Sequence, residues 1–149
     1  MSKPLEHLGS QVAELDLTGL DDLTLNDLNE LYNTYELMGG GGTVMQETSL
    51  LFAELVAQRL TRLPLETLGT MRAKDAIKLK NRIYRFFLHV GVGNPAEIKE
   101  ARKACIFASK YTHTGLGFFF GLPLKTLNRT LLDISEAVKE ERRLRSGNK

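Results

Sequence analysis

The chain has 149 residues, 42% hydrophobic and 26% charged, the balance of one globular domain long enough to bury a core. No apolar run approaches the roughly 20 residues a membrane-spanning helix needs, and the single cysteine, Cys105, excludes an internal disulfide and fits a reducing cytoplasm. The net charge of +2 hides a split: ten acids and no Lys or Arg lie between Pro4 and Gln58, whereas 19 basic residues and 8 acids lie from Arg59 onward.

Met1 to Leu8 lacks a basic stretch followed by an apolar one, so no secretory signal is expected. Met1 to Gln11 reads as a frayed terminus. Val12 to Leu17 alternates enough to form a short extended piece, and Thr18, Gly19, Asp21 and Asp22 supply turn chemistry. Thr24 and Asp27 are a capping pair for a helix with Leu28, Leu31, Tyr32 and Tyr35 on one side. Gly39 to Gly42 ends that helix and reads as a flexible link. A phosphate-cradling loop is not expected there, because no Lys-Ser or Lys-Thr follows.

The organising stretch runs from Met45 to Val90. Leu51, Phe52, Leu55, Val56 and Leu60 draw one helical face. Pro64 stops that helix and starts a short second piece with Leu65, Leu68 and Met71. Ala76, Leu79, Ile83, Phe87 and Val90 then step by 3 or 4. The expectation is a helix, a short helix and a helix folded back as one hairpin. Asn94-Pro95-Ala96-Glu97 starts the next helix, with Ile98, Ala101, Cys105 and Ala108 inward to about Tyr111. Thr112 to Gly117 reads as loop. The last helix carries a seam of Leu124, Leu127, Leu131, Ile134 and Val138. Leu63 to Leu68 and Leu122 to Leu127 share the pattern LPLxTL.

The predicted fold is therefore all-α, one domain of about five helices. Residues 1–90 form the core, and 94–149 form a C-terminal helical extension.

Chemistry is sparse. His7, His89 and His113 are scattered with no metal-ligand spacing, and no nucleophile, kinase or dinucleotide motif is present. No enzyme activity, cofactor or metal is expected. Cys105, among alanines at helical spacing, reads as a core thiol. Binding surfaces are the better candidates. Phe118, Phe119, Phe120 and Leu122, with Leu127, Leu131, Ile134 and Val138, are candidate partner-binding residues. The phenylalanines suit a cap on the core somewhat better than an exposed surface. Arg72, Lys74, Lys78, Arg82 and Arg85, with Lys80, form a candidate basic face for nucleic acid. The charge split is open to intramolecular docking, head-to-tail self-association, an oppositely charged partner or a plain acidic surface.

Leu15-Asp16-Leu17-Thr18-Gly19-Leu20-Asp21-Asp22-Leu23-Thr24, followed by Asp27-Leu28, resembles the acidic opening of tail assembly chaperones of long-tailed phages. The helix holding Glu47 to Leu60, the Leu63-Pro64 step, Asp75-Ala76 and the Phe86-Phe87 helix end extend that resemblance over about residues 15–90. Arg62 stands where the family usually has a glycine before Leu-Pro. The resemblance implies a small helical cytoplasmic protein that forms a homo-oligomer, binds the tape measure protein and recruits tail tube subunits to it.

Overall fold

A computed structural model describes residues 1–41 and 46–147. Its frame is the expected hairpin: α2 (Leu50–Thr61), the single turn α3 (Leu65–Leu68) and α4 (Ala73–Val90). Ser49 caps the start of α2, and Arg62 ends it in the left-handed region at φ 60°. Pro64, extended, is the residue before α3, so its fixed φ turns the chain without starting the helix itself. The apolar stripes meet as the spacing predicts. Phe52, Leu55 and Val56 of α2 and Ala76, Leu79, Ile83, Phe87 and Val90 of α4 are buried. The Phe52 and Phe87 rings lie 5.6 Å apart, which brings the start of α2 to the end of α4.

α1 (Leu25–Leu37) covers one side of this hairpin. Thr24 and Asp27 form the expected capping box, the Asp27 N–H donating to Thr24 Oγ1 at 3.2 Å and the Thr24 N–H to Asp27 Oδ2 at 2.8 Å. Leu28, Leu31 and Tyr35 are buried, and Tyr35 meets Phe52 edge-on at 5.7 Å. Of the flexible link expected over 39–42, Gly39 and Gly40 are instead held in place at the helix end. The Gly40 N–H donates to the Tyr35 carbonyl and the Gly39 N–H to the Glu36 carbonyl, both at 2.9 Å, with Gly39 at φ 87°. That is a Schellman cap, which uses glycine to satisfy helix-end carbonyls. A Cβ on Gly40 would fall 2.3 Å from the Tyr35 ring, so this glycine is also fixed by contact. Gly42 lies outside the described residues.

The N-terminus is a second correction. It is not frayed: β1 (Leu5–His7) and β2 (Ser10–Val12) pair antiparallel, and the 12–17 segment expected to be extended contributes only Val12. Leu8 and Gly9 turn the hairpin with φ 49° and 76°. Asn-Gly is the usual signature of such a turn, and Leu8 hides it. Leu5 is buried, and the Ser2 N–H and hydroxyl donate to Asp75 Oδ2 at 2.8 and 2.5 Å. Thr18–Asp22 is a 3-10 turn.

α5 (Pro95–Thr112) starts on an Asn94 cap, the Glu97 N–H donating to Asn94 Oδ1 at 3.0 Å. The short α6 (Leu116–Phe120) occupies part of the expected 112–117 loop. α7 (Leu124–Gly147) runs well past Arg143. Its start is pinned to the start of α1: Leu124 donates to the Leu23 carbonyl at 2.8 Å, and Thr24 and Pro123 form an isolated bridge. Both LPLxTL copies thus stand at a helix start, Pro64 directly before α3 and Pro123 directly before α7. Ile98, Cys105, Ala108, Phe119, Leu124 and Leu127 join the same core as the hairpin.

Charge docking is intramolecular in two places. Arg59 pairs with Asp27 and, at 2.8 Å, with Glu30; Lys125 pairs with Asp21 at 2.5 Å. These pairs join the acidic first third to the basic remainder, although exposed pairs contribute only about 0–1 kcal/mol each.

Candidate functional site

α5 and α7 lie side by side and run in the same direction. Glu97 and Glu100 face Leu127 and Asn128 at one end, and the Tyr111 hydroxyl donates to Glu141 Oε2 at 2.7 Å near the other. The contact face of α5 is Ala101, Ala104 and Ala108, and small side chains leave a groove between the helices. Two openings of about 500 and 280 Å³ adjoin at Ala104 and Leu131, which line both, and follow each other along the same pair of helices. From Asn128 to Arg142 of α7 the two together span about 21 Å at 1.5 Å per residue.

The floor is apolar: the three alanines with Leu127, Leu131, Ile134 and Val138. The expected α7 seam is thus turned inward, toward α5, with Leu127 and Val138 buried and Leu131 and Ile134 half-buried. Leu132 and Phe107 stand exposed on opposite walls, and Phe107 stacks on Tyr111 with centroids 6.1 Å apart. The two ends differ in charge. Glu97 and Glu100 rim the end near Gly91, whereas Lys139 and Arg142 rim the other.

Glu97 accepts from the Gly93 N–H at 2.7 Å, and Glu100 pairs with Lys103 at 2.8 Å. The Lys103 hydrogen bond and charge hold Glu100 below the ordinary carboxylate range. Near the basic end, the Tyr111 hydroxyl and Arg145 hold Glu141 low, while that same Glu141 bond pushes Tyr111 up. Lys139 and Arg142 make no ion pair among the described residues.

The other candidate residues are not gathered here. Phe118 to Leu122 belong to α6 and the turn after it: Phe119 is in the core, Phe118 is 56% exposed, and Phe120 and Leu122 are half-buried. The three phenylalanines are therefore neither one exposed patch nor one core cap, because successive residues of a helical turn point in different directions.

The basic face stands on α4. Arg72, Lys74, Lys78, Arg82 and Arg85 are exposed, Lys80 is half-buried, and none is in an ion pair among the described residues. The segment from Glu14 to Leu17 lies against Lys78 and Arg82. Asp16 there is held low first by the Thr18 N–H and hydroxyl, and also by the Arg82 charge.

Cys105 is fully buried, and burial pushes its thiol up, away from reactivity. No group of His, Cys, Asp and Glu among the described residues could hold a metal ion, and no described helix is long and apolar enough to cross a membrane. A second cleft of about 520 Å³ lies between α1 and α5, lined by Asn29, Asn33, Lys99, Arg102 and Lys103.

The α5 half of the groove was missed in the sequence. Its alanines read as an inward stripe, which they are, but nothing local says that the helix they face stands off far enough to leave a channel. The available signal was Phe107 and Tyr111, one turn apart and outside that stripe. No family model, curated protein or solved structure matches the chain.

Proposed function

We propose that this protein is a non-enzymatic interaction protein that receives a helical segment of a partner in the α5–α7 groove, and that it acts as a phage tail assembly chaperone. Its partners would be the tape measure protein and tail tube subunits, with self-association into a homo-oligomer in the host cytoplasm. One observation carries the reading: two adjoining apolar hollows that together span about 21 Å of α7, lined by alanines and by leucines at helical spacing. Small floor residues let a guest helix approach closely, and the length suits about four turns of it. The backbone at Arg62 adds support, since its left-handed φ of 60° is a conformation that favours glycine, the residue the resembled family has there.

A second reading, nucleic-acid binding, rests on the exposed α4 cations, which make no ion pair among the described residues although Asp16 and Asp75 lie near Arg82 and Lys78. Co-expression with a candidate tape measure protein, capture and mass spectrometry test the first reading. Capture should survive high salt and be lost in Ala104→Trp, which fills the channel. Capture of nucleic acid that falls steeply with salt and is untouched by Ala104→Trp favours the second.

A further inference from the structure

The groove has a direction as well as a shape. α5 and α7 are parallel, so their N-terminal ends, each carrying partial positive charge, lie together at the Glu97 and Glu100 end. Their C-terminal halves lie together where Lys139 and Arg142 stand. A third helix packed in the channel meets two aligned dipoles and two rims of opposite sign. Running antiparallel to both hosts, it sets its negative C-terminal end beside their positive N-terminal ends.

Side-chain charge selects the same orientation. A guest helix is stabilised by acids in its first turns and bases in its last. Placed antiparallel, its acids meet Lys139 and Arg142, and its bases meet Glu97 and Glu100. Placed parallel, the same guest sets like charges together at both ends. Glu141, the acid near the basic end, already accepts from Tyr111 and is paired with Arg145, so it does not cancel that rim; at the acidic end Glu100 is paired with Lys103, and Glu97, which makes no ion pair among the described residues, carries the charge of that rim.

Resting on the reading of the groove as a helix receptor, we infer that its partner is an amphipathic helix with an apolar seam, acidic at its N-terminal end and basic at its C-terminal end, docked antiparallel to α5 and α7. The charge order of the segment, and not its apolar seam alone, sets which helices are accepted.

The test uses the full chain and synthetic helical peptides of about four to five turns, matched in composition. One carries a leucine seam with Glu in its first turns and Lys in its last. A second carries the same seam with the charges exchanged. A third keeps the first charge order with Gln in place of the seam. Binding is read by fluorescence anisotropy at low salt. The acid-first peptide should bind about tenfold tighter than its reverse, and the peptide without a seam should bind weakest.

The triple variant Glu100→Lys, Lys139→Glu and Arg142→Glu changes only exposed side chains, so it should stay folded, and it should invert the preference. Ala104→Trp should abolish binding of both seam peptides with circular dichroism unchanged. Equal affinity for the two seam peptides, both lost in Ala104→Trp, overturns the polarity while the groove reading stands. Binding of either seam peptide untouched by Ala104→Trp overturns both. So does a wild-type dimer that Ala104→Trp dissociates, because the channel is then filled by a second copy.

Discussion

Phe52→Ala tests whether the core is centred where the structure places it. The Phe52 ring is 1% exposed and sits between Tyr35 at 5.7 Å and Phe87 at 5.6 Å, with Phe87 continuing to Phe86 at 5.2 Å. Truncation removes a ring from the middle of this row and leaves a cavity walled by the other aromatics. These are held by α1 and α4, two separate helices, so the cavity cannot close by a local shift. A buried Phe→Ala change of this kind costs about 3–5 kcal/mol, of which roughly 0.5–1.5 is ring pairing beyond area.

Against a total of about 5–15 kcal/mol, that is a large share of the stability. For a chain of this size it lowers Tm by about 6–20 °C. Urea unfolding followed by circular dichroism should show a lower midpoint with an unchanged slope. Phe118→Ala, at an exposed ring, should stay within about 0.5 kcal/mol of wild type. If Phe52→Ala loses less than about 1 kcal/mol, or matches Phe118→Ala, the aromatic row is not the centre of the fold.

Gly93→Ala should cost about 1–3 kcal/mol in the same assay, because its Cβ would lie 2.8 Å from the Phe87 Cβ and 3.3 Å from that of Glu47. Leu131→Lys should cost roughly 1–3 kcal/mol without changing the sedimenting species, since the seam packs on α5; an unchanged stability with a smaller species would make it an interface instead. Burial pushes the Asp27 carboxyl up, but the Thr24 N–H and hydroxyl and the Arg59 guanidinium outweigh it and hold it below its ordinary value. Its contribution is present above an unfolded-state value of about 3.9 and lost as pH falls through the lower folded value. Asp27→Asn should therefore lower stability at neutral pH and flatten its loss in acid, and equal acid sensitivity in both proteins would refute that role.

What the sequence determined by itself was local. The stripes of α2 and α4, the Thr24–Asp27 box and the Asn94–Pro95 start are each written within one or two turns, where spacing and capping chemistry decide. The N-terminal hairpin was invisible because Leu8 occupies a turn position that usually advertises itself with Asn or Gly. Four glycines read as a link because composition alone does not show a helix end closing on Tyr35. The groove lay furthest from view. Each α7 residue that lines it was legible as part of a seam, but a channel exists only where two helices separated by α6 come to lie parallel, with alanines on one side and leucines on the other. The start of α7 is held by the hydrogen bond of Leu124 to Leu23, a contact across about a hundred residues, and long-range packing of that kind leaves no periodicity in the chain.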